Sequence, residues 1–493
     1  MPILLAKPYW VSPDGKTAKL WLGDVRESLR GLPAKSVQCA VTSPPYWGLR
    51  SYLKEDDVSK SSEIGSEPSP DCGTLGQAQC GQCFICTMVE MFREVSRVLR
   101  DDGVLWCNLG DTYASNNGTG FDTNQDGGHR KSQYAGQTAK SPLKSGNLIG
   151  IPWRVALALQ AGGWVLRQDI IWSKASPMPE PVKSRCTKSH EYIFLLTKSM
   201  DYYYDADAIK EPLKAPAHAP SNNKLDKSRN DRGSMNNVWG AQGYANKRSV
   251  WHLTTEPTTG QHYASYPKKL VEPCILAGTS ARGACIKCGS PWERLVDDKP
   301  IVRERPNELT KRTHAVGTGN ACPNTIGGIS SMTVGWYPTC KCDRLPELPK
   351  EPPAGKDYNA SKRVDGTEKV TGISRDRDDD DDRINGVRSE AYDNYIKEVT
   401  RLCEMSKDIP TIPCVVLDPF LGSGTTGVVA MQHGRYAWGI ELSKNYCDLH
   451  IIPRFNRVCG FKMAESKSFR ELNNKLNNKL VQKSKLPTKR KSS

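Results

Sequence analysis

The stretch Cys414-Val415-Val416-Leu417-Asp418-Pro419-Phe420-Leu421-Gly422-Ser423-Gly424-Thr425-Thr426-Gly427 decides the fold class of this 493-residue chain. Its first four residues are apolar and predict a buried strand, and the glycines that follow open a helix predicted over 424–433. A Gly-x-Gly-x-x-Gly turn between a strand and a helix is typical of a site for a nucleotide-containing cofactor, because glycine lets the backbone approach the ligand closely. A P-loop is excluded, since no lysine follows the last glycine.

Two acidic residues sharpen the prediction for the cofactor. Glu441 lies 19 residues after Gly422, at the end of a strand predicted over 436–440, where an acidic side chain commonly binds ribose hydroxyls. Asp418 stands at the tip of the preceding strand, where an anionic side chain suits the ammonium and sulfonium groups of S-adenosylmethionine better than a pyrophosphate. The residues alone leave two hypotheses open, an S-adenosylmethionine enzyme and an NAD-type oxidoreductase.

Strands and helices also alternate in the first half of the chain. Residues 37–42 predict a buried strand, 88–99 an amphipathic helix and 104–109 the next strand. A helix starting at 151 precedes strands near 164–172 and 191–197. This order predicts an α/β fold with a doubly wound, mostly parallel sheet of the Rossmann-like type, into which a Cys-rich module is inserted.

A second motif, Ser43-Pro44-Pro45-Tyr46-Trp47, has the residue types needed to methylate the exocyclic amine of a nucleobase. Such an amine is a poor nucleophile because its lone pair is delocalised into the ring. The Ser43 hydroxyl and the Pro44 carbonyl are suited to accept its hydrogens, and two prolines make the turn rigid. Tyr46, with Trp47 as a second candidate, would stack on a base taken out of the duplex.

The two motifs together resemble those of the DNA amino-methyltransferases, whose cofactor motif has the form Asp-Pro-Phe-x-Gly-x-Gly-Thr-Thr. The catalytic motif stands 375 positions before the cofactor motif, which is the permuted order of the β group of that family. The stretch at 263–273 resembles the segment that packs over the methionine end of the cofactor. Further segments that look like the family's core lie at 22–24, 106–111, 150–154, 169–172 and 190–192.

This resemblance implies transfer of a methyl group from S-adenosylmethionine to the exocyclic amine of a flipped base. A serine at the head of the Pro-Pro-Tyr segment usually accompanies cytosine N4 methylation in this family, so cytosine N4 is favoured and adenine N6 is the alternative. The implied catalytic residues are Ser43, Pro44, Pro45 and Tyr46, and the implied cofactor-binding residues are Asp24, Asp418, Pro419, Phe420, Gly422, Gly424, Thr425 and Glu441.

Charge and hydropathy bear on the partners of the chain. A formal net charge of +15 favours a polyanion, because lysine and arginine gain affinity for phosphate by releasing counterions. We therefore expect double-stranded DNA as the partner and, in a restriction-modification system, a cognate restriction endonuclease. No stretch has the length of a membrane span and the first residues lack the plan of a secretory signal, so a cytoplasmic location is expected.

Several of the 17 cysteines are spaced as metal ligands. Cys285-x-x-Cys288 and Cys340-x-Cys342 predict a structural zinc site of the ribbon type, with free cysteines as the alternative. These pairs also leave open a zinc-containing nucleic-acid binding protein without catalysis. A second and weaker candidate for zinc is the group Cys72, Cys80, Cys83 and Cys86.

Composition shifts suggest six parts of the chain. The core of the fold is predicted at 1–113, which carries the catalytic turn, at 147–278, with a loose stretch near 214–247, and at 391–465, which carries the cofactor motif. A polar loop is predicted at 114–146, and a basic disordered tail at 466–493. The Cys-rich module with its acidic linker is predicted at 279–390, as a possible target-recognition element.

Overall fold

A computed structural model describes ten ranges of the chain. They are 7–48, 59–65 with 67, 69–70, 80–114, 143–177, 179–212, 244–255, 266–302, 326–351 and 390–460. The predicted loop at 114–146 and the loose stretch at 214–247 lie mostly outside these ranges. The predicted tail and the acidic run at 378–382 lie wholly outside them.

Nine strands form the central sheet, in the order β1-β2-β15-β14-β3-β4-β6-β5-β9. The strands of the whole described chain are β1 Trp10–Val11, β2 Ala18–Leu22, β3 Val37–Thr42, β4 Leu99–Leu109, β5 Val165–Lys174, β6 His190–Thr197, β7 Glu211–Pro212, β8 Tyr244–Ala245, β9 Val250–Leu253, β10 Ala284–Cys285, β11 Trp292–Val302, β12 Ile326–Pro338, β13 Thr411–Ile412, β14 Val415–Asp418 and β15 Tyr436–Glu441.

The sheet is mostly parallel, as the sequence predicted. Strands β2, β15, β14, β3 and β4 run parallel to one another, and β9 runs parallel to β5. Strand β1 is antiparallel to β2, and β6 is antiparallel to both β4 and β5. Because β3 and β14 are adjacent and parallel, the two motifs that follow them emerge at the same edge of the sheet.

Helices cover both faces of this sheet, each with its own apolar core. The first core contains residues of α1, α2 and α3, and the second contains residues of α4, α6 and α8. The helices are α1 Val25–Arg30, α2 Phe84–Val98, α3 Ile151–Ala161, α4 Lys268–Gly278, α5 Glu390–Ser406, α6 Thr425–Gln432, α7 Lys444–Tyr446 and α8 Ile452–Val458, with 3-10 turns at Lys60–Ser62 and Asp207–Ile209 and a π turn at Cys447–Ile451.

Helix α2 differs in its bounds from the predicted helix at 88–99. It begins at Phe84, after Cys83 accepts a hydrogen bond from the N–H of Cys86 at the N-cap, and it ends at Val98. Leu99 is already extended and starts β4, which runs unbroken through Gly103. Burial explains the earlier start, because Phe84 and Ile85 both lie in the first apolar core.

The predicted Cys-rich insertion contains a long antiparallel hairpin made of β11 and β12. We call these two strands the hairpin arm. The arm is tied to the core by the Arg294 guanidinium, whose Nε donates to Asp205 at 2.9 Å, and to α5 by a hydrogen bond from Ser406 Oγ to the Trp336 carbonyl. In the described part of the chain, no helix is both long and apolar enough to cross a membrane.

Candidate active site

The catalytic turn and the cofactor turn meet at the edge where β3 and β14 end. Thr42 Oγ1 donates to Asp418 Oδ1 at 2.7 Å and so joins the last residues of the two strands. A cavity of about 380 Å³ lies over this junction. The predicted site residues that line it are Ser43, Pro44, Pro45, Tyr46, Pro419, Phe420, Gly422, Thr425 and Glu441.

The cofactor side of the cavity is built around the Glu441 carboxylate at the end of β15. One of its oxygens accepts the N–H of Gly422 and the other accepts the N–H of Ser443, both at 2.9 Å. Each oxygen keeps a lone pair that can accept from a ligand hydroxyl. Desolvation by burial raises the pKa of Glu441 to about 7. Glu441 therefore lies where a vicinal diol such as a ribose would be recognised.

The glycines of the cofactor turn have the conformation that their motif requires. Gly422 has φ +52° and Gly424 has φ +81°, both in the left-handed region that favours glycine. A Cβ on Gly424 would also lie 3.2 Å from the ring of Phe455, so the turn packs tightly against α8. Gly424 is the N-cap of α6 and, unlike its neighbours Ser423 and Thr425, is not among the described residues that line the cavity.

Asp418, predicted to contact the cofactor, is not among the described residues that line the cavity. Its buried carboxylate accepts hydrogen bonds from Thr42, Thr426 and Tyr266, and from the backbone N–H of Phe420. Desolvation raises the pKa of Asp418, and these donors oppose that rise. The Asp418 side chain thus connects the end of β3 to the cofactor turn.

Asp24 differs in the same way from its predicted position in the cofactor site. Its carboxylate caps α1 by accepting the backbone N–H of Arg26, and it forms an ion pair with the guanidinium of the same residue at 2.7 Å. The neighbours of Asp24 in sequence, Gly23 and Val25, do line the cavity. Helix capping therefore occupies this carboxylate in the structure.

The catalytic side of the cavity is organised around the Tyr46 hydroxyl. This hydroxyl donates to Glu191 Oε2 at 2.7 Å and accepts from Ser43 Oγ at 3.5 Å. The other oxygen of Glu191 accepts from Lys174 Nζ at 2.5 Å, and Asn108 Oδ1 lies 3.3 Å from the Tyr46 oxygen. All five side chains line the cavity.

Glu191, Lys174 and Asn108 were not singled out from the sequence. They stand on β6, β5 and β4, and the antiparallel pairing of β6 with both neighbours brings them side by side. The only signal in the sequence was that each lies within or beside a segment resembling the family's core. Their proximity depends on strand register, which is set by pairing between segments far apart in the chain.

The ring of Tyr46 has a fixed place in the cavity, whereas Trp47 has none. A Cβ built on Gly110 would lie 2.5 Å from Cε2 of Tyr46, so the ring rests directly on the Gly110 backbone. Trp47 is only 3% exposed, belongs to the first apolar core and donates from Nε1 to the Glu67 carbonyl. The alternative that Trp47 stacks on the base is therefore wrong.

Tyr266, from the stretch predicted to pack over the methionine end of the cofactor, also lines the cavity. Its hydroxyl donates to Asp418 Oδ2 at 3.0 Å and contacts Thr426 Oγ1. Burial raises the pKa of the phenol well above its ordinary value, so this hydroxyl stays protonated at neutral pH. Tyr266 joins its own segment to the base of the cofactor turn.

The predicted zinc ligands converge away from this cavity. The Sγ atoms of Cys285, Cys288, Cys340 and Cys342 all lie within 4.8 Å of one another. The Sγ atoms of Cys80, Cys83 and Cys86 form a second group with the same limit, and Cys72 lies outside the described residues. Both groups can offer sulfur ligands to a soft or borderline metal ion.

Comparison with known proteins identifies the family. A family model described as DNA methylase, N6_N4_Mtase, matches residues 37–286 and 413–452. The chain is 40% identical over 268 residues to the Type II methyltransferase M.SmaI of Serratia marcescens, covering 54% of this chain and 77% of that protein. It is 40% identical over 262 residues to M.Cfr9I of Citrobacter freundii, covering 53% and 73%.

Among solved structures, one titled PvuII DNA methyltransferase (cytosine-N4-specific) covers 92% of this chain and 96% of its own, with a TM-score of 0.40 and 12% identity. That likeness is too slight to carry a conclusion. The family model and the relatives agree with the two motifs that meet in the cavity, and they set aside the NAD-type oxidoreductase. This chain belongs to the DNA methylase family of amino-methyltransferases, as its paired motifs predicted.

Proposed function

We propose that this DNA methyltransferase transfers a methyl group from S-adenosylmethionine to N4 of a cytosine in double-stranded DNA. The observation that carries the proposal is the single cavity shared by the Ser43-Pro44 turn and the Glu441 carboxylate. One end of this cavity has acceptors for an amine, and the other has an acceptor for a ribose. A flipped base and the cofactor would therefore meet within it.

On the catalytic side, the chain would prepare the amine for attack. Ser43 Oγ and the Pro44 carbonyl would accept the two amine hydrogens, which draws the nitrogen toward tetrahedral geometry and localises its lone pair. S-adenosylmethionine, when bound, would supply an electrophilic methyl group; the carbon–sulfur bond would break as the bond to nitrogen forms, and the amine would lose one proton to water or a nearby acceptor. Neither the turn nor Tyr46 needs to form a covalent bond, because positioning and hydrogen bonding are sufficient for transfer to an exocyclic nitrogen.

Tyr46 would supply the stacking surface for the base. Its ring rests on Gly110 and its hydroxyl is held by Glu191, so two independent contacts set the ring plane. The ion pair of Glu191 with Lys174 balances the carboxylate charge inside a part-buried site. Glu191 and Lys174 therefore act as positioning residues for Tyr46.

On the cofactor side, the chain would bind S-adenosylmethionine through shape and two kinds of contact. Glu441 would accept the ribose hydroxyls, and Phe420 with the Gly422 turn would close around the flat and polar parts of the ligand. Tyr266 and Asp418 would keep the floor of the site in place from behind. These residues fit the cofactor that the family uses.

Ser43 supports cytosine N4 over the alternative, adenine N6. In this family a serine in that position usually accompanies cytosine, and Ser43 Oγ lies in the cavity within reach of the Tyr46 hydroxyl. The two bases present the same amine chemistry, so the choice depends on how the cavity holds the ring. The relatives are named Type II methyltransferases, and we propose a Type II role with a cognate endonuclease in the cytoplasm.

Sequencing that distinguishes modified bases tests this function directly. DNA from cells expressing the protein should carry N4-methylcytosine at one recognition sequence, and DNA from cells expressing Ser43→Ala should not. Methylated adenine at a specific sequence would contradict the choice of base. No modified base with the wild-type protein, together with no transfer of labelled methyl to DNA in vitro, would support a zinc-containing binding protein instead.

We further propose a structural zinc ion held by Cys285, Cys288, Cys340 and Cys342. Support comes from their convergence although 52 positions separate the two pairs. Four cysteine thiolates form a closed tetrahedral site of the structural kind, with no position left for water or substrate. The group of Cys80, Cys83 and Cys86 is a weaker proposal, because its three described ligands leave the fourth position to a residue outside the described ranges.

A further inference from the structure

The four-cysteine site lies at the base of the hairpin arm. Cys285 and Cys288 precede β11, and Cys340 and Cys342 follow β12. The pairing of Trp292 with Pro338 closes the arm and brings the two flanking turns together. A metal ion there would join the strand that enters the arm to the strand that leaves it.

The geometry of the sulfur atoms fits one tetrahedral ion. A zinc–sulfur distance of about 2.3 Å in a tetrahedral site places the sulfurs about 3.8 Å apart. The observed upper limit of 4.8 Å needs only a small contraction to reach that spacing. The turn is also shaped for a thiolate, because the Lys287 N–H points at Cys285 Sγ at 3.4 Å and Gly289 adopts φ +75°.

Direct contacts dock this turn on the core of the enzyme. Arg100 donates from Nη1 to the Cys288 carbonyl at 2.5 Å and from Nη2 to Ser290 Oγ at 2.9 Å. Gln38 donates from Nε2 to the Gly289 carbonyl at 2.8 Å. The turn therefore rests on side chains of β3 and β4.

These contacts place the cysteines at the edge of the sheet opposite the active site. Gln38 stands at the start of β3, whereas the catalytic Ser43 follows its end. The carbonyl oxygen of the Gln38 side chain also accepts the backbone N–H of Val415, at the start of β14. Gln38 and Ser43 are five positions apart in the sequence, which is about 16 Å at the rise of a strand.

We propose that the zinc ion is a latch that fastens the base of the hairpin arm to the rear edge of the sheet. This inference rests on the zinc site proposed above and not on the choice of target base. The ion would hold the knuckle of Cys285 and Cys288 in the shape that Arg100 and Gln38 bind. It would take no part in methyl transfer, because the active-site cavity lies at the other end of the same strands.

The test begins with the metal content of the purified full-length protein. We expect Cys342→Ser to bind about one zinc equivalent fewer than the wild type, measured by elemental mass spectrometry. Cys186→Ser is the matched control, because Cys186 is exposed and belongs to neither cysteine group. Equal zinc content in wild type and Cys342→Ser would overturn the site itself.

Hydrogen exchange then tests the latch. In Cys342→Ser, amides of β11 and β12 near residues 292–296 and 333–338 should exchange about tenfold faster, while those of β14 stay within twofold of the wild type. The affinity for S-adenosylmethionine should be unchanged. Zinc loss without faster exchange at the arm would overturn the latch and leave the zinc site intact.

A second route covers the case in which Cys342→Ser fails to fold. Treating the folded wild-type protein with a zinc chelator should give the same localised increase in exchange, and adding zinc back should reverse it. An increase spread evenly over the whole sheet would overturn the latch. Both measurements are independent of methylation, so a failure of the proposed cytosine specificity would not affect them.

Discussion

The place of the Tyr46 ring can be tested by the smallest possible change, Gly110→Ala. The added Cβ would lie 2.5 Å from Cε2 of Tyr46 and 3.1 Å from Cδ2 and Cζ, whereas ordinary contact begins at 3.4 Å. The ring must therefore retreat by about 0.9 Å (3.4 − 2.5). Gly110 is not among the glycines with positive φ, so alanine can adopt its backbone conformation and the effect is steric.

The size of the effect follows from that displacement. A shift of about 1 Å in a group that orients substrate costs about 10²-fold in rate. The ring cannot retreat freely, because its hydroxyl is bound to Glu191 at 2.7 Å. Overpacking of this kind lowers the free energy of unfolding by about 1–3 kcal/mol, which leaves the protein folded. The nearest neighbours of the added Cβ are all atoms of Tyr46, and Gly110 is not among the described residues that line the cavity, so affinity for S-adenosylmethionine should not change.

Single-turnover methyl transfer to DNA is the appropriate assay, with cofactor affinity from calorimetry and a thermal melt as controls. Gly110→Ala should lower the rate about 10²-fold in the wild-type background and less than twofold in a Tyr46→Ala background, because the clash needs the ring. A wild-type rate for Gly110→Ala would refute the reasoning. Equal losses in both backgrounds would show that Gly110 acts through something other than Tyr46.

Three further changes follow from the site and the arm. Tyr46→Phe keeps the ring but removes the hydrogen bond from the Tyr46 hydroxyl to Glu191. The rate of methyl transfer should fall about tenfold, with unchanged affinity for the cofactor. A wild-type rate would contradict a positioning role for this hydrogen bond. Burial raises the pKa of Glu441 to about 7. Protonated Glu441 therefore contributes to the free energy of unfolding fully below about pH 4.5, and this contribution is lost as the pH rises through 7. The shift from 4.5 to about 7 corresponds to a loss of about 3 kcal/mol in the free energy of unfolding. Glu441→Gln should not show this loss when unfolding is measured by urea denaturation without cofactor, and identical pH profiles for the two proteins would refute the assignment. Asp205→Asn breaks the ion pair between Asp205, whose side chain is 2% exposed, and Arg294. This change should lower the free energy of unfolding by about 3 kcal/mol. A decrease of less than about 1 kcal/mol would contradict that value.

Much of the active site could be predicted from local sequence. Gly422 of the cofactor turn, the Ser43-Pro44 turn and Glu441 all line one cavity. Local chemistry explains this success, because left-handed glycines and consecutive prolines restrict the backbone within a few residues. The same reasoning located the cysteine pairs, whose spacing within each turn suits a shared metal ion.

For other residues the tertiary structure shows partners that the residue type did not indicate. Asp418 has the residue type of a cofactor ligand, but four donors around it turn its carboxylate into a buried brace. Trp47 follows Tyr46, the tyrosine proposed to stack on the base, yet the indole of Trp47 packs in the first apolar core. A motif fixes which residue is present, whereas the direction of its side chain depends on what packs around it.

By itself the sequence determined the fold class, the family and the two motifs of the reaction. Only the tertiary structure decided that Glu191, Lys174 and Gly110 surround Tyr46, and that the cysteines sit at the far end of the strands that carry the active site. The physical reason is that turn conformation is set by neighbours in sequence. The register and order of strands are instead set by burial and hydrogen bonding between segments far apart in the chain.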